Sequence, residues 1–450
     1  MELEELTKVH NLVGLFIELC KIPSPSLKEE KLSQRILEIF KENFIQAEYD
    51  DFKNIIAKIP ASKGYEKVPS LLLSAHMDVV GGSEEINIRL SEDGKFIETD
   101  KTRTLGADNK AGVAAILDLA IKLTRTEIAT SHPTDAPRND NYILPHGAIE
   151  IIFTRDEEMG MSGAQNLDTS RLSSKYAIIC DGETLGELDC EGAGFTNLYI
   201  KVSGGKGGHS GINIHDKTRI SAIKVLSELD SQIPQGVIKS SEKGTITSIN
   251  AGVISGGAVN TYIAEAIKDA YELGKENQPI PEKYDAKNIL DSVNRNSALN
   301  IISSDARIAY SLRSSEPTNE QELIEKIKNI INKTQEKYTG LIKIDLEIYK
   351  HLKPFVKSKD VFLTEVAIKA GEKQNLKVTP SSFHAGAETH VFANEKKNAL
   401  GESFIPVIAG LANLENIHSS DEKIDWQSFL LGRQWLEDIV STFAEEAEIL

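Results

Sequence analysis

The strongest constraint in this sequence is a set of short apolar runs that alternate with helix-patterned stretches. Residues 54–59, 69–74, 148–154 and 176–180 are apolar runs of five to seven residues. That length suits strands buried on both faces better than helices. Between the second and third, residues 112–123 carry Val113, Ile116, Leu117 and Ala120 at helical spacing. Strands alternating with helices predict an α/β sheet covered on both faces. None of the runs approaches the ~20 residues that a membrane-crossing helix needs, so no membrane role is expected.

A chain of 450 residues exceeds one ordinary core, and two or three domains are expected. The first forty residues read as two helices, carrying Leu12, Val13, Leu15, Phe16 and Leu19, then Leu32, Ile36, Leu37 and Phe40; Pro23-Ser24-Pro25 breaks the run between them. Residues 126–146 lack periodicity and hold three prolines, which predicts a surface loop. From about residue 195 the texture changes. Residues 196–205, 245–253, 307–312 and 342–349 read as strands, 218–229 as a helix, and 320–331 as a helix with Leu323, Ile327 and Ile331 on one face. This block predicts an α+β domain over 195–352, inserted into an α/β domain formed by 1–194 and 353–450. The α/β texture resumes after Pro354, with a helix at 361–370, a strand at 404–408 and a terminal helix at 426–442.

Lys plus Arg number 51 against 68 Asp plus Glu, a net charge of −17 at pH 7. A field of that sign repels phosphate backbones and anionic membranes and attracts cations, so no nucleic-acid partner is expected. The opening MELEELTKVH has no basic segment followed by an apolar one, so no signal peptide is expected. Cys20, Cys180 and Cys190 form neither a CxxC nor an even framework, which fits reduced thiols and a cytoplasmic location.

Five places carry candidate chemistry, four of them just past the end of an apolar strand, where open α/β sheets bind ligands. In LLLSAHMDV, His76 and Asp78 are two apart and share one side of an extended strand. They read as a metal ligand with a carboxylate that fixes its tautomer, or as a simple hydrogen-bonded pair. Asp108, in TLGADNKAG, precedes a helix and reads as an N-cap or as a ligand. In IIFTRDEEMG, Asp156, Glu157 and Glu158 crowd a strand end, where like charges need cations or solvent. AIICDGE ends a strand at Asp181, and NLENIHSSDE puts His418 in a loop before the terminal helix. Together, two histidines and several carboxylates can hold two cations about 3.5–4 Å apart with one carboxylate bridging. Such a site makes hydroxide from water at neutral pH, polarises a carbonyl, and needs one unliganded carboxylate as base. Glu157 and Glu158 can divide that labour, one binding metal and the other moving protons.

SAHMD, TLGADNKAG, TRDEEMG, CDGE, GGKGGHSG and NIHSSDE, in this order across nearly the whole chain, resemble the di-zinc exopeptidases. That family includes peptidase T, aminoacyl-histidine dipeptidase and the carboxypeptidase G-like enzymes. The resemblance implies a zinc-exopeptidase catalytic domain, with a mixed sheet flanked by helices, and an inserted lid of the dimerisation type. Position by position, it implies that His76 and Asp181 bind one zinc, Glu158 and His418 the other, and that Asp108 bridges both. Asp78 would stand behind His76. Glu157 matches the general base that activates the metal-bridging water and later protonates the leaving amine. A cis peptide between Asp108 and Asn109 is implied as well.

His209, in GGKGGHSG, lies in the inserted block. The Gly-rich loop with Lys206 does not match GxxxxGK[ST], and on its residues alone it reads as a flexible turn. The resemblance makes His209 the group that polarises the scissile carbonyl oxygen, in dimeric relatives from the other subunit. GGAVNTY and YSLRSSEP match lid positions, which implies that Asn260 and Arg313 hold the substrate's C-terminal carboxylate. A planar guanidinium grips a carboxylate bidentately; the plain alternative for Arg313 is a surface ion pair. SFHAGAETHVF resembles the HAGLE-type segment of aminoacyl-histidine dipeptidases more than the GGTDG-type segment of peptidase T. His384, Glu388 and His390 would then line the cleft, with Glu388 receiving a free α-ammonium. After Glu388 the chain departs from that pattern, with Thr-His in place of Cys-Gly, and a satisfied core position is equally open for His390.

The resemblance therefore implies a cytoplasmic exopeptidase for unblocked di- or tripeptides, holding two zinc ions at a carboxylate-rich site that also takes Mn or Co. Lid closure would exclude water. Two rivals stay open: an amidohydrolase or deacylase for N-acyl amino acids, which needs no free-amine recognition, and a non-catalytic metal- or peptide-binding relative. Intact Glu157 and an intact ligand set count against the second. The inserted block is compatible with a homodimer through the lid sheet or with a monomer.

Overall fold

The computed structural model describes residues 2–131, 144–241, 245–256 and 299–447. The chain divides into two compact units, Met1–Gly192 with Phe355–Leu450, and Ala193–Pro354. In the first, the apolar runs become an eight-stranded mixed sheet. Its order is Gln46–Tyr49, Ile55–Ile59, Ile149–Thr154, Leu71–His76, Tyr176–Gly182, Ile405–Gly410, Glu187–Gly192 and Thr379–Phe383. Leu71–His76 and Ile149–Thr154 are buried along their whole length, so their sequences show continuous apolar runs rather than alternation. The helix Ala107–Ser131 packs on Leu71–His76 and Tyr176–Gly182, and the helices Asn11–Lys21 and Trp426–Ala447 pack against it. Phe153 stacks on Phe40 of the helix Glu30–Glu42, 6.0 Å between ring centres.

Four neighbouring strands, Ile149–Thr154, Leu71–His76, Tyr176–Gly182 and Ile405–Gly410, run parallel. Their carboxyl ends therefore share one edge. The register sets Thr154 opposite His76 and Ser74 opposite Ile179, so two residues further along His76 and Asp181 come level.

The second unit is an antiparallel five-stranded sheet in the order Gly236–Ser240, Ile246–Gly256, Ala306–Ser314, Gly194–Ser203 and Lys343–Leu352. Along Gly194–Ser203 buried and half-buried residues alternate. Leu198, Ile200 and Val202 join a core with residues of the helices Ala222–Asp230 and Pro317–Lys337. One covered face gives the period-two pattern that is visible in the sequence.

Three segments depart from expectation. Residues 126–131 continue the helix Ala107–Ser131 rather than starting a loop, because no breaker occurs before Pro133. Residues 132–143 lie outside the described residues; at the far end of the expected surface loop His146 is buried, its carbonyl accepting from the Ser62 amide and hydroxyl. Residues 218–221 precede the helix Ala222–Asp230, since Asp216 draws the Thr218 amide (3.0 Å) and hydroxyl (2.7 Å) into a turn. Ile88–Leu90, Phe96–Thr99, Leu414–Glu415 and Lys423–Asp425 form a small sheet; strands this short hold too few positions to display a period. Among the described residues no helix is long and apolar enough to cross a membrane.

Phe153 is completely buried whereas Phe44 is 83% exposed. Phe153→Ala is expected to cost about 3–5 kcal/mol of stability, and Phe44→Ala about 0.5 kcal/mol or less, both read from urea denaturation midpoints.

Candidate metal centre

The parallel strand ends bring the candidate ligands together. His76 is the last residue of Leu71–His76, and its Nε2 lies 3.1 Å from Asp108 Oδ1 and 3.2 Å from Asp181 Oδ1. His418 Nε2 lies 2.9 Å from Asp108 Oδ2 and 3.1 Å from Glu158 Oε2. Asp108 therefore stands between the two imidazoles, one oxygen facing each. His76, Asp108 and Glu158 each offer a donor atom, and these three atoms lie within 4.8 Å of one another.

Asp108 is free to do this because a neighbour caps the helix. Asp108 and Asn109 have non-helical backbone angles at the start of Ala107–Ser131, and Asn109 Oδ1 accepts the Gly112 amide at 3.2 Å. The N-cap alternative for Asp108 thus fails: Asn109 takes the orphan donor. The peptide between Asp108 and Asn109 is cis, as the resemblance implies.

Asp78 is fully buried behind His76. Its carboxylate lies 3.4 Å from His76 Nδ1, and it accepts the Ser26 hydroxyl at 2.7 Å and the amides of Glu157 and Glu158 at 2.9 and 3.1 Å. His76 Nδ1 also lies 2.9 Å from the Asp78 carbonyl, which directs Nε2 to the open side of the site. The turn after Ile149–Thr154 is braced from below. Buried Glu29 accepts the Asp156 amide at 3.1 Å and pairs with Arg155 at 2.8 Å. Asp156 is buried too, so this turn is not the solvated one that crowded charges alone would suggest.

The electrostatics follow from that packing. Burial opposes the charge on His76, but Asp181, Asp108 and Asp78 raise its pKa well above the usual value. Hydrogen bonds to Asp108 and Glu158 push His418 up to about 10. Burial resists ionisation of Asp108, yet His418 and His76 hold its carboxyl well below the usual range. Burial pushes Asp181 up to about 7, with Asp108 and Glu158 adding to the rise. Burial likewise raises Glu157 well above the usual carboxylate range, and Asp181, Glu158 and Glu388 raise it further. The site thus gathers more carboxyl groups than imidazoles. Glu158 Oε1 is buried without a hydrogen-bond partner. Imidazole nitrogens, carboxylates and an unsatisfied oxygen make a donor set that fits divalent cations.

Glu157 differs from its neighbours: among the described residues its side chain makes no hydrogen bond or ion pair. Glu388, at the start of the helix Glu388–Glu395, is also fully buried, and neither of its oxygens has a hydrogen-bond partner of ordinary geometry. Burial pushes it up to about 8, while nearby Thr154 and His76 ease its charge. His390 is buried against Phe355, with Nδ1 2.9 Å from the Ala387 carbonyl, which is a core environment. No pattern in the sequence marks Glu29 or Ser26, and Asn109 enters there only through the implied cis peptide; a hydroxyl or carboxylate in a polar segment carries no sign of its distant partner.

In the second unit, His209 is exposed on the short strand Gly208–His209. Its Nδ1 accepts the Gly211 amide at 3.1 Å and the Ile212 amide at 3.3 Å. Two backbone donors at Nδ1 put the proton of the neutral ring on Nε2, which lies 3.1 Å from Nδ2 of the Asn300 side-chain amide. Arg313 lies over the Phe195 ring at 4.6 Å and makes no ion pair among the described residues, which removes the surface-pair alternative within them. Asn260 lies outside the described residues.

A mixed sheet whose parallel strands end at His76, at Asp181 and just before Glu157 and Glu158, with Asp108 at a helix start and His418 on a loop beside them, has the form of a metallopeptidase site. The chain belongs to peptidase family M20/M25/M40, whose sequence model matches residues 136–442. A second match, to peptidase family M28, covers residues 54–209. The chain is 31% identical over 230 residues to the cytosol non-specific dipeptidase of Escherichia coli (strain K12), covering 45% of this chain and 43% of that protein. It is 26% identical over 270 residues to peptidase T of Vibrio cholerae serotype O1 (strain ATCC 39315 / El Tor Inaba N16961), covering 50% and 60%. The matched regions thus span less than two thirds of either relative's length. The solved structure of aminopeptidase PepT from Bacillus cereus ATCC 10987 superimposes with a TM-score of 0.73 at 22% identity, covering 96% of this chain and 98% of that one, which shows a shared fold.

Asp78→Asn turns an acceptor-only group into one whose amide faces a backbone N–H, and is expected to weaken cation binding about 10–100-fold, measured by equilibrium dialysis with zinc. Adding zinc at 100 times its Kd to chelator-treated protein is expected to raise stability by about 2.7 kcal/mol per site, read as a shift in thermal midpoint.

Proposed function

We propose that this protein is a di-metal exopeptidase that hydrolyses short peptides with a free amino terminus. The observation that carries the reading is the convergence of His76, Asp108, Asp181, Glu158 and His418 around a carboxylate, Glu157, that none of them engages. His76 and Asp181 would hold one cation, Glu158 and His418 the other, with Asp108 shared. When bound, two divalent cations supply Lewis acidity, which polarises a carbonyl and makes water acidic near neutral pH. Zinc suits the histidine and carboxylate donors, and manganese or cobalt fit the same set.

Glu157 then takes a proton from the attacking water and later delivers it to the leaving amine. Its raised pKa brings it toward the range where a carboxyl both accepts and returns a proton near neutrality. His209, with its proton on Nε2, donates a hydrogen bond to the scissile carbonyl oxygen as negative charge develops there. Arg313, with Asn260, holds the substrate carboxylate. Glu388 receives the free α-ammonium: a buried acid with two unpaired oxygens gains most from a cationic partner. That last feature favours a free-amine substrate over an N-acyl one, and a deacylase is the second reading. The names of the relatives support peptides of two or three residues. A cytoplasmic location and a homodimer through the second unit belong to the same proposal.

Glu157→Gln is expected to lower kcat by about 10²–10⁴-fold while zinc binding persists. Glu388→Gln is expected to raise KM for free-amine dipeptides and tripeptides, and Arg313→Ala to raise KM for both. Initial rates on a dipeptide, a tripeptide and an N-acetyl amino acid, with and without chelator, test these. Turnover of the acetylated substrate alone would overturn the exopeptidase reading in favour of the deacylase.

A further inference from the structure

The loop that carries His418 reaches, four residues later, a carboxylate with no part in the chemistry above. Glu422 is 1% exposed. Its Oε2 accepts the Gly106 amide at 2.7 Å and the Thr104 hydroxyl, and its Oε1 accepts the Asp108 amide at 3.1 Å. Three donors from the segment leading into the helix Ala107–Ser131 thus close on one side chain from the His418 loop. That segment has little freedom of its own. Gly106 has φ +76°, and a Cβ there would meet Val79 at 2.9 Å, so residues 104–108 follow a path that few alternatives can replace.

His418 depends on its loop to an unusual degree. The ring is 47% exposed, and its side-chain partners among the described residues are Asp108 and Glu158, both acidic. The loop closes on itself through Ser419, whose hydroxyl donates to the Asn416 carbonyl at 2.7 Å and whose carbonyl accepts the Glu422 amide at 3.2 Å. Lys101 pairs with Asp421 at 2.6 Å and the Thr99 hydroxyl donates to the Ser420 carbonyl at 3.4 Å, but Glu422 is where the loop is fastened to the backbone of Asp108 itself. The two groups so joined are two of the three at one cation, Glu158 being the third, while at the other cation only Asp108 depends on this fastening and His76 and Asp181 are set by the register of two adjoining strands.

We propose that Glu422 is a positioning residue for the cation held by Glu158, His418 and Asp108. It clamps the Asp108 backbone to the His418 loop, and its loss weakens that cation more than the one at His76 and Asp181, which shares Asp108 but draws nothing from the His418 loop. The inference rests on the di-metal reading. Glutamine nearly matches glutamate in shape, but its amide must face either the Gly106 or the Asp108 N–H, donor against donor.

The test titrates metal-free wild type, Glu422→Gln and Thr104→Val with zinc by calorimetry, and with cobalt by visible absorption, using near-UV circular dichroism to follow the fold. Wild type is expected to take two cations. Glu422→Gln is expected to bind one of them about 10–100-fold more weakly and the other with a smaller loss, with the larger change in the cobalt spectrum at the weakened site and an unchanged dichroism spectrum. Thr104→Val removes one donor of three and is expected to shift the same site in the same direction by less. A wild type that fails to take two cations would overturn the di-metal reading itself. Equal binding of both cations by wild type and Glu422→Gln would overturn only the positioning role. Should Glu422→Gln fail to fold, an unchanged weaker site in Thr104→Val overturns it instead.

Discussion

Asp78 has no exposure to solvent, and its two oxygens join three distant stretches of the chain. One oxygen faces the His76 ring and accepts the Glu157 amide; the other accepts the Ser26 hydroxyl and the Glu158 amide. A buried carboxylate is tolerable only when its lone pairs are filled, and removing one partner of a buried charged pair typically costs about 3–5 kcal/mol. Because the partners include the backbones of both adjacent glutamates, the same interaction that satisfies Asp78 fixes where Glu157 and Glu158 stand. The site's geometry is thus a by-product of paying one desolvation cost well.

Around that anchor the fold assembles like charges. Asp108, Asp181, Glu157, Glu158 and Glu388 converge on a region where His76 meets Asp108 and Asp181 and His418 meets Asp108 and Glu158. The excess of acid over base in the whole chain has a local counterpart here, and burial sharpens it, since the low-dielectric surroundings strengthen every uncompensated repulsion. The two histidines hold protons tightly and Asp108 gives its proton up readily. A cation is the natural replacement for those protons, because the same lone pairs serve either.

Parts of this were legible from residues alone. The continuous apolar runs before His76 and before Asp156 announced strands covered on both faces, and the strand-end position of their polar neighbours placed those groups at one edge. Residues 196–205 read as a strand, and Gly194–Ser203 is one, with buried and half-buried residues in alternation. Other parts were silent. That Asn109 rather than Asp108 caps the helix depends on backbone angles, and both residues are good caps by type. Glu29 and Glu422 read as ordinary acids in polar segments, yet each is buried and accepts backbone amides from more than 100 positions away. The short strands of the small sheet left no pattern to read.

What the sequence by itself determined is which elements form and which residue types end them, since hydrophobic period and breaker residues act within a few positions of themselves. It also determined the inventory of donors and the acidic balance. What only the tertiary structure decided is which oxygen faces which nitrogen: Asp108 between His76 and His418, Asp78 beneath both glutamates, Glu157 left unengaged. Those pairings depend on strand order and register, which set residues 76, 157 and 181 at one edge, and on the helix start and the loop that bring 108 and 418 to them. No local pattern encodes such distances, because side chains remote in sequence meet only after the sheet has fixed its strands.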